Sequence, residues 1–174
     1  MGNFPFISWA LIATLQVMLL LSAAFNDVAK RLIPNGICLT IALTSLVGRL
    51  LVGPQQLAIS LALAIVLFIP LLLLHSCHIL GGGDVKLLTA LTIGLSPLGI
   101  VKLFAVTALA GGVVALSHLA MRRLPRPRLT SARSASLRRI YAVERWRILR
   151  RAPLPYAVAI ASGGIWAVLT AAGV

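Results

Sequence analysis

Apolar residues come in long runs along this chain, and polar residues gather at the breaks between them. The runs cover residues 4–25, 36–52, 57–74, 85–95, 98–121 and 155–174. A helix of about 20 apolar residues crosses the roughly 30 Å hydrocarbon core of a bilayer. The breaks carry turn formers: Ile33-Pro34-Asn35, Gly53-Pro54-Gln55-Gln56, Gly81-Gly82-Gly83-Asp84 and Ser96-Pro97. Pro70 falls inside the third run, where membrane helices tolerate it. The pattern predicts an all-α fold, a polytopic membrane helix bundle of about six transmembrane helices.

The run at 85–95 is the ambiguous one. Its 11 residues rise only about 16 Å as a helix. Charge parity resolves it. If the run crosses, Lys30, Arg31, Lys86 and the basic segment at 122–151 share one side, and Arg49 and Lys102 lie opposite. If it does not, the basic segment faces away from Lys30 and Arg31. Basic residues accumulate on the cytoplasmic side, which favours the crossing. No positive charge precedes the first run, so it reads as an uncleaved first helix rather than a secretory signal. Both termini are then outside, in a multi-pass membrane protein.

Composition sharpens this. Of 174 residues, 60% are hydrophobic and 11% charged, and mean hydropathy is +1.02. Such a chain is too apolar to be disordered. It is also too short to hide that surface as a soluble domain. The net charge of +13 would by itself suggest nucleic acid. However, 11 of the 16 basic residues lie at 122–151, where they report topology and contact with anionic lipid, so no nucleic-acid partner is expected. Residues 137–149 could form an amphipathic helix on the inner leaflet. The domain expectation is one membrane-embedded unit over 1–174 with an arginine-rich cytoplasmic loop at 122–152.

Cys38 and Cys77 form no CxxC pair and are expected to be buried free thiols. His75, Cys77 and His78 lack a closing partner, so neither a metal nor any other cofactor is expected. His118 is expected to be packed or interfacial. The pairs Gly111-Gly112 and Gly163-Gly164 are expected to let helices approach closely.

The acids are Asp27, Asp84 and Glu144. Glu144 sits among arginines and reads as a surface ion-pair partner. Asp27 and Asp84 each lie at the edge of an apolar run, and the topology brings both to the inner edge of the bundle. They could serve only as a helix cap and a boundary residue. Two ionisable groups at such depth, on one face, point instead to function. Facing aspartates cannot both ionise easily, so the pair shares a proton. The ionised member takes a proton from water, and the protonated one donates to a scissile carbonyl. Gly81, Gly82 and Gly83 would allow unusual backbone angles beside a bound peptide. Lys86 is close enough in sequence to tune the Asp84 charge.

These motifs carry a resemblance. Residues 27–35, Asp-Val-Ala-Lys-Arg-Leu-Ile-Pro-Asn, look like the D-x-x-x-x-x-I-P-N segment of the type IV prepilin peptidases. Gly81 to Leu87 matches their G-x-G-D-x-K motif, and Leu154 to Ile160 is similar to their last span. The resemblance implies a membrane aspartic endopeptidase with Asp27 and Asp84 as the catalytic pair. Gly81, Gly82, Gly83, Lys86, Pro34 and Asn35 would form the surrounding motif where substrate approaches. The implied partner is a prepilin, a small protein with a basic leader and an apolar helix, cut at the cytoplasmic face. The longer members' N-terminal region with paired CxxC motifs has no counterpart, so the chain looks like the short type serving Flp, or tight-adherence, pili. N-methylation of the new terminus is not expected on that ground. A small proton-coupled transporter using the same aspartates as relays is the alternative, and a non-catalytic membrane scaffold a further one. A transporter would favour paired repeats and acids near the midplane, and the sequence offers neither. No oligomeric state follows from the sequence.

Overall fold

The computed structural model describes residues 4–123 and 156–172, and every element in them is a helix. In chain order these are α1 (Phe4–Lys30), α2 (Asn35–Val52), α3 (Pro54–Ser76), α4 (Gly82–Gly94), α5 (Pro97–Arg123) and α6 (Tyr156–Ala172). All six apolar runs of the sequence are therefore helical. The amphipathic stretch expected at 137–149, Glu144 and the arginine-rich segment past Arg123 lie outside the described residues.

The chain divides into two compact units, Met1–Gly111 with Pro155–Val174, and Gly112–Leu154. In the second, the described part is the end of α5, where His118 Nδ1 lies 3.0 Å from the Val114 carbonyl oxygen. The first unit holds the remaining helices. Its fully buried centre includes Leu20, Ile41, Leu87, Leu91, Leu103 and Ile160.

α1, α2, α3 and α5 contain the four described stretches long and apolar enough to cross a membrane. Their outward leucines, isoleucines and valines are exposed in bulk, as a lipid-facing coat requires. The protein is a membrane protein. α4 is different: it has 13 residues, a rise of about 20 Å. It packs against α2, α3 and α6. Asp84, Val85, Leu87, Leu88, Ala90, Leu91 and Thr92 are all buried. A helix walled on several sides by protein need not match the bilayer's thickness. It also carries no clean apolar stripe, which is why the sequence pattern is ambiguous there.

A short helix ending inside a bundle leaves its last carbonyls in need of partners. Arg49 of α2 and Ser60 of α3 provide them. The Arg49 Nε donates to Ser60 Oγ at 2.8 Å, and the Ser60 hydroxyl donates to the Leu95 carbonyl at 3.4 Å. Arg49 is buried, and a cation at this end suits the negative pole of α4. On the neighbouring side, Gln16 Nε2 of α1 donates to Ser45 Oγ of α2 at 3.0 Å. These hydrogen bonds tie α1, α2, α3 and the end of α4 together.

Two glycines matter for the packing. Gly53 has φ +146°, a region L side chains avoid, and it lets α2 turn into α3 across a single residue. At Gly163, a Cβ would meet Thr107 Oγ1, the Leu103 carbonyl oxygen at 2.6 Å and the Thr107 nitrogen at 3.0 Å. Here α6 crosses α5 at backbone contact. Gly111 is not such a place: a Cβ there would meet only the Ala159 methyl, at an ordinary 3.7 Å.

Candidate active site

Asp27 lies on α1 rather than beyond it. The helix continues past the apolar run to Lys30 and ends where Arg31 takes a left-handed φ of 56°. The Arg31 N–H still donates to the Asp27 carbonyl at 2.8 Å, so the turn carrying the carboxyl is closed. Asp27 is 8% exposed. Its carboxyl Oδ2 accepts the backbone N–H of Ala157 at 3.2 Å. Ala157 is in the first turn of α6, where unpaired N–H groups and the helix dipole favour a negative charge.

Asp84 sits in the first turn of α4 and is 9% exposed. Its carboxyl accepts the backbone N–H of Gly81, the N-cap residue of the same helix. This is the reach-back geometry of an acidic residue three places into a helix. The two carboxyls lie close enough for Asp84 to feel the charge of Asp27. Each is thus held at a helix N-terminus, one at α6 and one at α4, within electrostatic reach of the other. The two capping hydrogen bonds also account for the more modest structural role weighed from the sequence. They do not account for bringing two acids together.

The glycines correct an expectation. Gly81 has φ −68° and ψ 141°. Gly53 is the glycine with positive φ among the described residues, so the three glycines are not there for unusual angles. They are there for space. A Cβ on Gly81 would lie 2.8 Å from Asp84 Oδ2, one on Gly82 3.2 Å from the His75 ring, and one on Gly83 3.2 Å from the Ile33 side chain. The His75 Nδ1 is 2.9 Å from the Leu80 carbonyl oxygen, which fixes the ring over Gly82. Gly81→Ala should therefore push the Asp84 carboxyl aside while costing little stability, because the clash is with the end of a side chain. A displacement of about 1 Å can cost about 100-fold in rate. The expected result is a fall of that order in peptidase activity with an unchanged melting temperature.

The two motifs interlock. Ile33 packs against Gly83, Pro34 is the N-cap residue of α2, and Asn35 Oδ1 accepts the Lys86 ammonium at 3.0 Å. Pairing Lys86 with Asn35 joins the start of α4 to the start of α2. Cys38 is buried and lies within electrostatic reach of Asp84 and Lys86. Cys77 departs from expectation: it is exposed, because it caps the C-terminus of α3. Among the described residues no group of three or more His, Cys, Asp or Glu side chains is placed to hold a metal ion.

Comparison with known proteins adds the family. The model of the type IV leader peptidase family matches residues 14–116. That is more than half of the chain, and it contains Asp27, the Ile33-Pro34-Asn35 turn, the three glycines, Asp84 and Lys86. The chain belongs to the type IV leader peptidase family. It is a membrane peptidase. Neither the curated proteins nor the solved structures yield a match. One contributor to the site lies outside the matched region and escapes residue-type reasoning altogether. Ala157 acts through its backbone N–H, and only the likeness of residues 154–160 to the family's last span drew attention to it.

Proposed function

We propose that this membrane peptidase removes the basic leader of type IV prepilins, of the Flp or tight-adherence type, at the cytoplasmic face of the inner membrane. Asp27 and Asp84 are its catalytic pair, and residues 1–174 act as one peptidase domain. The observation that supports this most is the convergence of two buried carboxyls, from two separate motifs, at one end of the bundle.

In this reading the pair shares one proton and holds a water between its members. The ionised aspartate takes a proton from that water as it attacks the scissile carbonyl. The other donates its proton to the carbonyl oxygen. The backbone N–H groups of Ala157 and Gly81 hold the two carboxyls in place, so neither has to reorganise as charge moves. Burial limits access by bulk water, which suits hydrolysis of one bound peptide. The proton-relay alternative uses the same two acids, but no observation on the fold favours it.

In this reading Lys30, Arg31, the glycine loop and the arginine segment lie in the cytoplasm, with both termini outside. The substrate then approaches with its leader in the cytoplasm and its apolar helix in the bilayer, so that the cut falls at the inner interface. Cysteine labelling in a Cys38→Ser/Cys77→Ser background tests this. Single cysteines replacing Ser131 or Ser136 should react only when reagent reaches the cytoplasm, and one replacing Gln55 from outside. Reaction at Ser131→Cys from outside would mean that α4 does not cross, and the start of α6 with Ala157 could not then share the inner face with Asp27.

A further inference from the structure

The turn between α3 and α4 is held by backbone hydrogen bonds. Cys77 caps α3, and His78 takes a left-handed φ of 59°, a common way for a chain to leave a helix. The N–H groups of Ile79 and Leu80 both donate back to the Leu74 carbonyl, at 3.0 and 3.4 Å. Leu80 is thereby returned to the last turn of α3, beside His75. The His75 Nδ1 lies 2.9 Å from the Leu80 carbonyl oxygen. A carbonyl oxygen only accepts, so Nδ1 carries a hydrogen and donates it. The ring stands over Gly82, where a Cβ would come within 3.2 Å of it.

The Leu80 carbonyl belongs to the same peptide group as the Gly81 N–H, and that N–H donates to the Asp84 carboxyl. The carboxyl is close against this group, since a Cβ on Gly81 would lie 2.8 Å from Asp84 Oδ2. His75, one peptide group and Asp84 thus form a continuous chain of hydrogen bonds. We propose that His75 is a positioning residue for the peptidase reaction: through the Leu80–Gly81 peptide group it aims the N–H that fixes the Asp84 carboxyl. The inference rests on the peptidase reading above, with Asp84 in the catalytic pair. A peptide group is rigid and planar, so holding its oxygen sets the direction in which its N–H points. Hydrogen bonds in series also polarise one another, so donation to the oxygen strengthens donation from the nitrogen. Gly81 has no side chain to hold that plane, and His75 supplies the grip. His75 is itself exposed, so its substitution leaves the buried core of the bundle untouched.

The test uses the full chain in proteoliposomes with a purified prepilin. Three variants separate the donor from the ring. His75→Asn keeps an N–H at the place of Nδ1, His75→Gln moves it to the place of Nε2, and His75→Phe keeps a ring with no donor. His75→Asn should hold kcat within about threefold of the wild type, while His75→Gln and His75→Phe should lower it about tenfold with KM within about twofold, a loss of chemistry rather than of binding. Gly81→Ala already displaces the carboxyl, so adding His75→Phe to it should cost at most about twofold more. A ring that merely covers Gly82 would make His75→Phe the best of the three variants and His75→Asn no better than His75→Gln. That ranking, or equal kcat in all three, would overturn the proposal. So would losses from Gly81→Ala and His75→Phe that multiply in full. In each of these cases wild-type cleavage leaves the peptidase reading standing. If the wild-type chain cuts no prepilin, the peptidase reading fails, and this inference fails with it.

Discussion

Asp27→Asn and Asp84→Asn are each expected to lower leader cleavage by at least about a thousandfold, within the range that one general acid or base contributes, and to leave a protein that inserts and folds. Asparagine nearly matches aspartate in size. Its amide oxygen can still accept the Ala157 or Gly81 N–H, so the helix ends remain capped. What it cannot do is hold the shared proton or take one from water. The two roles of each aspartate therefore separate: the structural one survives substitution and the catalytic one does not. Glu144→Gln should cleave as the wild type does. Quantitative gel shift of the prepilin provides the measurement, with melting temperature in detergent as the control. Near-normal cleavage by either variant would remove that aspartate from the mechanism.

The second large effect is on the bundle itself. Gly163→Ala should destabilise the protein by about 2 kcal/mol, as overpacking does, even though alanine is the better helix former by about 1 kcal/mol. The sign follows from what the new methyl meets. At Gly163 it meets backbone atoms of Leu103 and Thr107, which cannot turn away, so α5 and α6 must separate. Gly111→Ala makes only an ordinary contact with Ala159 and should be neutral or slightly stabilising. Thermal unfolding in detergent of the two single variants gives the comparison. Equal melting temperatures would show that α6 does not cross α5 at Gly163 as closely as described.

The sequence makes most of the helices legible because a membrane helix must be apolar along its whole length and its breaks must be polar. The ambiguous run became α4, and the ambiguity has a physical source: it is surrounded by α2, α3 and α6 rather than by lipid, so neither length nor periodicity marks it. The two aspartates were legible because an acid at the edge of an apolar run is costly. The way they are held was not. The Ala157 N–H comes from a helix far along the chain, and a backbone donor leaves no signature in residue type. The glycines show the converse. Their presence near Asp84 is plain in the sequence, but unusual backbone angles are not the reason for it. The space each one leaves for Asp84, His75 and Ile33 becomes visible only once the helices are packed. Arg49 is legible only as a charge within an apolar run. Its place at the end of α4 through Ser60 depends on contacts that no local pattern encodes.

The central claim is that this chain cuts a prepilin with its two aspartates and nothing else. Intact-mass spectrometry of a prepilin incubated with the purified protein, in the presence of a strong chelator and with Cys38→Ser/Cys77→Ser as the enzyme, tests it most directly. The account predicts two products, the free leader and a mature pilin whose masses sum to the substrate plus one water, formed at the wild-type rate. An unchanged prepilin mass under these conditions, with cleavage restored by a metal ion or by the native cysteines, would contradict it.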